Sequence, residues 1–138
     1  MPSLLILLCV VSSSAWADGA PVWRHWSDSA FASAARDGKL ILVTLTAEWC
    51  PYCHKMEKTT WRDPAVLAQI KDAYIPVRVS DEQDPALARR YRDYGRPATL
   101  ILDASGHEIL RKRGYMKPQW MLWMLQAVAL DPAPEAHR

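Results

Sequence analysis

This chain has no apolar stretch long enough to span a bilayer, no second cysteine pair to accompany its first, and few glycines. Each shortage excludes something. A membrane-crossing helix needs about 20 apolar residues in a row, and the longest unbroken run here is Leu4 to Val11. Five glycines in 138 residues rule out collagenous and Gly-rich low-complexity chains. Charge of one sign is scarce too. The 17 Lys and Arg against 15 Asp and Glu leave a net +2 without a long basic or acidic run, so no surface for nucleic acid or anionic lipid stands out. What remains is half hydrophobic and 23% charged, the composition of one compact domain and too apolar for a disordered chain.

The run Leu4 to Val11 is followed by Ser12 to Ser14 and then Ala15-Trp16-Ala17, a small-x-small pattern suited to signal peptidase. Residues 1–17 therefore read as an export signal cut after Ala17, although Met1-Pro2-Ser3 brings no Lys or Arg to it. Cys9 leaves with the signal. The mature chain then holds two cysteines, both in Cys50-Pro51-Tyr52-Cys53, and keeps its net +2.

Periodicity predicts helices alternating with strands along the mature chain. Val22 to Trp26 is a candidate edge strand. Ser27 as N-cap, Ala30, Phe31, Ala34 and Ala35 at helical spacing, and Gly38 as a stop predict a helix over 28–37. Leu40 to Thr46 is apolar without alternation, as expected of a strand covered on both faces. Pro51 suits the first turn of a helix reaching Thr59. Asp63-Pro64 starts another to Lys71, with Val66, Leu67 and Ile70 inward. Tyr74 to Ser80 is a strand, and Asp84-Pro85 opens a helix stopped by Gly95, with Leu87, Tyr91 and Tyr94 on one side. Ala98 to Leu102 and His107 to Arg111 form a hairpin around Asp103-Ala104-Ser105-Gly106. Lys117-Pro118 starts a last helix to Leu130, whose Trp120 to Leu125 run is more apolar than one packed face requires. Arg89, Arg90, Arg92, Arg111, Lys112 and Arg113 read as solvated faces, and residues 131–138 as a disordered polar tail. The expected fold class is α/β, with a mixed central sheet of four to five strands, helices on both faces, and a domain over 18–130.

The spacing of the cysteine pair suits thiol chemistry. If Cys50 caps the helix that Pro51 begins, its sulfur meets free backbone N–H groups and the positive end of the helix dipole, which stabilise a thiolate. Cys53, one turn deeper, can close a disulfide with Cys50 and resolve a mixed disulfide. Cys50 is then an accessible attacker and Cys53 its shielded partner. A structural staple across so short a loop would remove only about 2 kcal/mol of unfolded-chain entropy and tie together nothing distant. Zinc asks for four ligands, and His25, His54, His107 and His137 have no ligand spacing, so no metal is expected. The stronger competitor is haem, because Cys50-Pro51-Tyr52-Cys53-His54 also satisfies the c-type attachment pattern. It would need a second axial ligand such as Met116, Met121 or Met124 from an α-rich fold, and the Leu, Ile and Val strands argue against that.

Strand, Trp49-Cys50-x-x-Cys53, helix and a later Pro97 before a strand and hairpin resemble the thioredoxin superfamily. Within it the chain is similar to the periplasmic C-terminal domain of the thiol:disulfide interchange protein DsbD and its single-domain relatives. Gly38-Lys39, Ala47-Glu48-Trp49-Cys50, Glu57-Lys58, Thr60-Trp61 with Asp63-Pro64 and Val66, Pro97, and Asp103 with Gly106 carry that likeness, from about Trp23 to Leu130. The resemblance implies a thioredoxin fold, with Cys50 attacking, Cys53 resolving, Trp49 flanking them and Pro97 as a cis proline facing the pair. It makes Glu57 an acidic group near the site that assists proton transfer, against the plain reading of a solvated helix carboxylate.

The chain departs from this pattern at several positions. Thr44 stands where the family usually carries a buried Asp six residues before the first Cys, so Glu57 or water would have to take the proton. Pro51-Tyr52 match glutaredoxins, but the Thr-Val before their cis proline is missing, and Arg96 stands there instead. A cation at Arg96 would lower the pKa of Cys50 and suit an acidic partner; the alternative is a solvated side chain pointing away. Taken with the resemblance, the expectation is an exported, periplasmic thiol:disulfide oxidoreductase, monomeric and without a bound cofactor. It would exchange disulfides with protein dithiol or disulfide partners, a membrane-borne electron donor among them, with the reducing direction favoured. The alternatives are the c-type haem carrier and a thioredoxin-like binding module that exchanges slowly.

Overall fold

A computed structural model describes residues 19–138. The expected export signal with its cleavage point, and Cys9, lie outside the described residues. Five helices and four strands follow in the order α1 Asp28–Asp37, β1 Leu40–Thr46, α2 Pro51–Lys58, α3 Pro64–Ala73, β2 Tyr74–Ser80, α4 Pro85–Arg90, β3 Ala98–Leu102, β4 Glu108–Arg113 and α5 Pro118–Leu130. The strands form one mixed sheet in the order β2-β1-β3-β4, parallel between β1 and β2 and antiparallel elsewhere.

Local chemistry starts and stops these elements where the sequence has caps. Ser27 Oγ accepts from the Ala30 N–H at 3.2 Å, and Gly38, in the left-handed region, donates its N–H back to the Ala34 carbonyl. Asp63 accepts from the N–H groups of Ala65 and Val66, and Pro64 fills the first turn of α3 without wasting a donor. The lack of alternation in β1 is explained by its two covered faces. Ile41, Val43 and Leu45 pack with Ala30 and Ala34 of α1, while Leu42 packs with Met56, Val66, Ile70, Met121, Leu125 and Val128 on the other face.

The structure departs from expectation at four places. Residues 22–26 form a single bridge rather than an edge strand: the Arg24 N–H donates to the Pro76 carbonyl and the Arg78 N–H donates to the Arg24 carbonyl, each at 3.0 Å. Pairing cannot extend backwards, because the next donor on β2 would be Pro76, which has no N–H. It cannot extend forwards either, because the Ser80 N–H is taken by Asp84 Oδ2 at 3.0 Å. The helix after Asp84 ends at Arg90 and continues as a 3-10 turn over Arg92–Tyr94. Ala35 is exposed and Leu67 half-buried, so each of those helices buries a narrower stripe than its spacing suggests. The tail is not a disordered segment: Pro134–His137 form a 3-10 turn that packs on β4.

Candidate active site

β1 delivers the chain from the middle of the sheet to a short turn, Ala47-Glu48-Trp49, and α2 begins immediately after it. Cys50 is the N-cap of α2 and Pro51 occupies its first turn. The Cys50 N–H donates to the Ala47 carbonyl at 3.2 Å, and the Cys53 N–H donates to Cys50 Sγ at 3.2 Å. One of the free N–H groups of a helix start is thus aimed at the sulfur. Cys50 and Cys53 are joined as a disulfide with their Cα atoms 5.2 Å apart. Each cysteine is only 2% exposed, so in this oxidised form Cys50 is not the accessible partner of the pair but is as covered as Cys53.

The exposed groups are the neighbouring rings, Trp49 at 67% and Tyr52 at 59%. Tyr52 leans toward Tyr115 with ring centroids 6.2 Å apart, and Lys55 lies over the Tyr115 ring at 4.5 Å. An open groove of about 460 Å³ starts at Trp49 and is lined by Pro85, Ala88 and Arg89 of α4 and by Arg92 of the 3-10 turn after it. Arg89 and Arg92 are exposed there, as are Arg90, Arg111, Lys112 and Arg113 elsewhere.

The turn that carries Pro97 is held by Arg96. The Arg96–Pro97 peptide bond is cis, and Pro97 lines a small pocket together with Cys53, Thr44, Glu57 and Arg78. Neither sequence reading of Arg96 fits the structure. Its side chain is 5% exposed; Nε donates to Asp81 Oδ1 at 2.7 Å, and the other nitrogens donate to the carbonyls of Ala88, Tyr91 and Gly95. The guanidinium is spent on backbone oxygens and one carboxylate, so it staples the end of α4 and the following turn to the start of β3.

Glu57 is half-exposed and paired. Its Oε1 accepts from Arg78 at 3.4 Å, and its Oε2 lies 3.9 Å from His54 Nδ1. His54 in turn donates Nε2–H to the Glu48 carbonyl at 2.8 Å. The turn before Cys50 is tied down from outside as well. The Glu48 N–H donates to Glu82 Oε1 at 3.0 Å, and this bond holds the Glu82 carboxyl below its ordinary range. Sequence reasoning missed Arg78, Asp81 and Glu82. The available signal for Arg78 was a lone cation within the otherwise apolar YIPVRVS strand.

The haem alternative loses its parts. Cys50 and Cys53 are bonded to each other, the His54 ring is committed to a backbone carbonyl, and Met121 is packed in the core between the sheet and α5. Among the described residues no group of three His, Cys, Asp or Glu side chains is placed to hold a metal. No helix among them is long and apolar enough to cross a membrane.

Residues 27–129 match the family described as "Thioredoxin-like domain". A stretch of 99 residues, 68% of the chain, is 38% identical to the "Thiol:disulfide interchange protein DsbD" of Tatumella citrea, and it spans only 17% of that longer protein. A thioredoxin from Thermus thermophilus superposes with a TM-score of 0.71 at 27% identity, covering 83% of this chain and 92% of that one. The reduced C-terminal domain of DsbD from Neisseria meningitidis shares the fold, with a TM-score of 0.58 at 17% identity over 72% of this chain and 90% of that one.

Proposed function

The chain belongs to the family of thioredoxin-like domains, and from that premise we propose that it is a thiol:disulfide oxidoreductase exchanging disulfides with protein partners through Cys50 and Cys53. The observation that carries the proposal is a closed cysteine pair at a helix start with a backbone N–H already on Cys50 Sγ. In the reduced pair that N–H and the positive end of α2 favour the Cys50 thiolate. The thiolate attacks a partner disulfide, forming a mixed disulfide and expelling one partner sulfur. Cys53 Sγ then attacks Cys50 Sγ, closes the disulfide and releases the second partner sulfur, so two electrons pass to the partner. Glu57 or water takes the Cys53 proton. Trp49, Tyr52 and the Pro97 turn form the contact surface, and the groove beside Trp49, bordered by Arg89 and Arg92, suits an acidic segment of the partner.

Export to the periplasm, with cleavage after Ala17 and a working domain over 18–130, is supported by the Leu4 to Val11 run and Ala15-Trp16-Ala17. Likeness to a protein named for thiol:disulfide interchange supports the exchange itself; the reducing direction, supply by a membrane-borne donor and action as a monomer without cofactor are part of the proposal and go beyond it.

The deciding experiment equilibrates the purified mature protein with glutathione at fixed ratios, alkylates free thiols, and reads mass and absorption spectrum together. Two thiols that pair reversibly without a haem band are expected, with a midpoint on the reducing side. Cys53→Ser should accumulate a mixed disulfide that Cys50→Ser does not form. A midpoint near that of strong oxidants would overturn the direction. A Soret band with both sulfurs blocked, or partner binding undiminished in Cys50→Ser without exchange in the parent, would overturn the function.

A further inference from the structure

One rung of the sheet is polar from edge to edge. Thr44 on β1 lies opposite Arg78 on β2 and opposite Thr99 on β3, and Thr99 lies opposite Lys112 on β4. The neighbouring rung on the same face carries Leu42, Pro76, Ile101 and Leu110. Two members of the rung share a pocket with Cys53: Thr44, Cys53, Glu57, Arg78 and Pro97 line one pocket too tight for a water molecule. Among the described residues, the buried side-chain polar atoms without a hydrogen-bond partner are Arg78 Nε and Thr99 Oγ1, both on this rung. Thr44 and Thr99 are almost fully buried. Donors left open in the interior are costly and call for a reason.

Cys53 is the pocket group whose charge changes in exchange. On the disulfide-exchange reading above, on which this depends, a partner thiolate that attacks Cys50 Sγ forms a Cys50–partner bond. It breaks the Cys50–Cys53 bond and leaves the electron pair on Cys53 Sγ as a thiolate. The reverse attack of that thiolate on Cys50 Sγ closes the pair and expels the partner. We infer that Arg78 is a positioning residue of this reaction: its guanidinium stabilises the negative charge on Cys53 Sγ each time the Cys50–Cys53 bond opens, and Glu57 opposes it.

The other charged groups around the pocket are few. Thr44, directly opposite Arg78, supplies no carboxylate to neutralise the cation. Glu57 does so only from a half-exposed position at 3.4 Å. His54 stands 3.9 Å from Glu57 and lines the outer pocket with it and Arg78. Lys112 ends the rung in solvent, and Glu48 and Glu82 line the adjoining outer pocket. Arg78 shares the tight pocket with Cys53 while its side chain, 36% exposed, also borders the outer pocket, and a cation beside a sulfur favours the thiolate over the thiol.

The test uses the mature protein and its Arg78→Met, Arg78→Lys, Glu57→Gln and Thr44→Asp variants. Two quantities are read from pH 6 to 10: the equilibrium constant with glutathione, and the ionisation of Cys53 in a Cys50→Ser background by thiolate absorbance. Arg78→Met should raise the pH at which Cys53 ionises and shift the equilibrium about tenfold toward the disulfide, about 30 mV more negative. The gap should open as pH rises and close in acid, where the sulfur is protonated in both proteins. Arg78→Lys should retain most of the parent behaviour, Glu57→Gln should move both readings the other way, and Thr44→Asp should move them with Arg78→Met. Equal ionisation in the parent and Arg78→Met, or shifts of the same sign in Arg78→Met and Glu57→Gln, would overturn the inference. Should Arg78→Met not fold, Thr44→Asp and Glu57→Gln decide by the same signs. A parent that does not exchange with glutathione sinks the function, while the Cys53 titration still reports on Arg78.

Discussion

Arg96 is the residue at which physical expectation and structure diverge most. A guanidinium in the interior is tolerated only when its donors are met, and here three backbone carbonyls and the Asp81 carboxylate meet them. Removing the carboxylate leaves a buried cation without a counter-charge. Asp81→Ala should therefore lower stability by about 2–3 kcal/mol, less than a fully buried pair because Asp81 itself reaches solvent. Urea unfolding would read that loss, and an unchanged midpoint would show that the carbonyls suffice. Arg96 was illegible in the sequence because its partners lie 1 to 15 residues away and converge only once α4 has turned into β3. Cys50 and Cys53 were legible because their relation is local: three residues, one helical turn and a proline that marks the helix start.

At the scale of elements, legibility followed the same division. β2 and β3 occupy the expected residues, since strand-length apolar runs bounded by turns need no tertiary information. The outer strand over 22–26 did not form, because its fate depends on donors that belong to β2. Caps are the local features whose energetic worth is easiest to check. Asp63 holds two N–H groups at the start of α3, whose Val66 and Ile70 are buried against the sheet. Asp63→Ala should cost about 1 kcal/mol in thermal or urea unfolding, while Asp63→Asn or Asp63→Ser should recover most of it. The cysteine chemistry should be untouched, since α3 does not line the pocket under Cys53.

For the whole molecule, titration sets the pH window of stability. Burial pushes the phenols of Tyr74, Tyr91 and Tyr94 above their ordinary value. Tyr74 Oη donates to the Leu125 carbonyl at 2.6 Å, and Tyr94 Oη donates to Glu108. An acid with a raised folded pKa gives stability that is whole below its unfolded value, about 10 for a phenol, and is lost as pH rises beyond it. At the acid end the sign reverses. The carboxyls of Glu82 and Asp37 are held low, so their stabilisation is present above the ordinary carboxylate range and is lost as pH falls through their folded values. Urea midpoints should be flat near neutrality, decline above about pH 10 and decline again in acid, with Tyr74→Phe removing part of the alkaline loss. An alkaline limb unchanged in Tyr74→Phe would assign that loss to other groups.

The missing donor of Pro76 has a consequence beyond the shape of the first segment. A sheet border with a full row of free N–H and C=O groups recruits strands from other molecules, and natural proteins interrupt it. On one border here the proline removes a donor and Asp84 takes the next but one, leaving room for a single bridge. On the other, β4 ends in Arg111-Lys112-Arg113 and is covered by the Pro134–His137 turn. Neither border therefore offers a full row of open donors and acceptors to a strand of another molecule. Pro76→Val would give one border its donor back, and light scattering on concentrated samples should then show self-assembly that the parent resists.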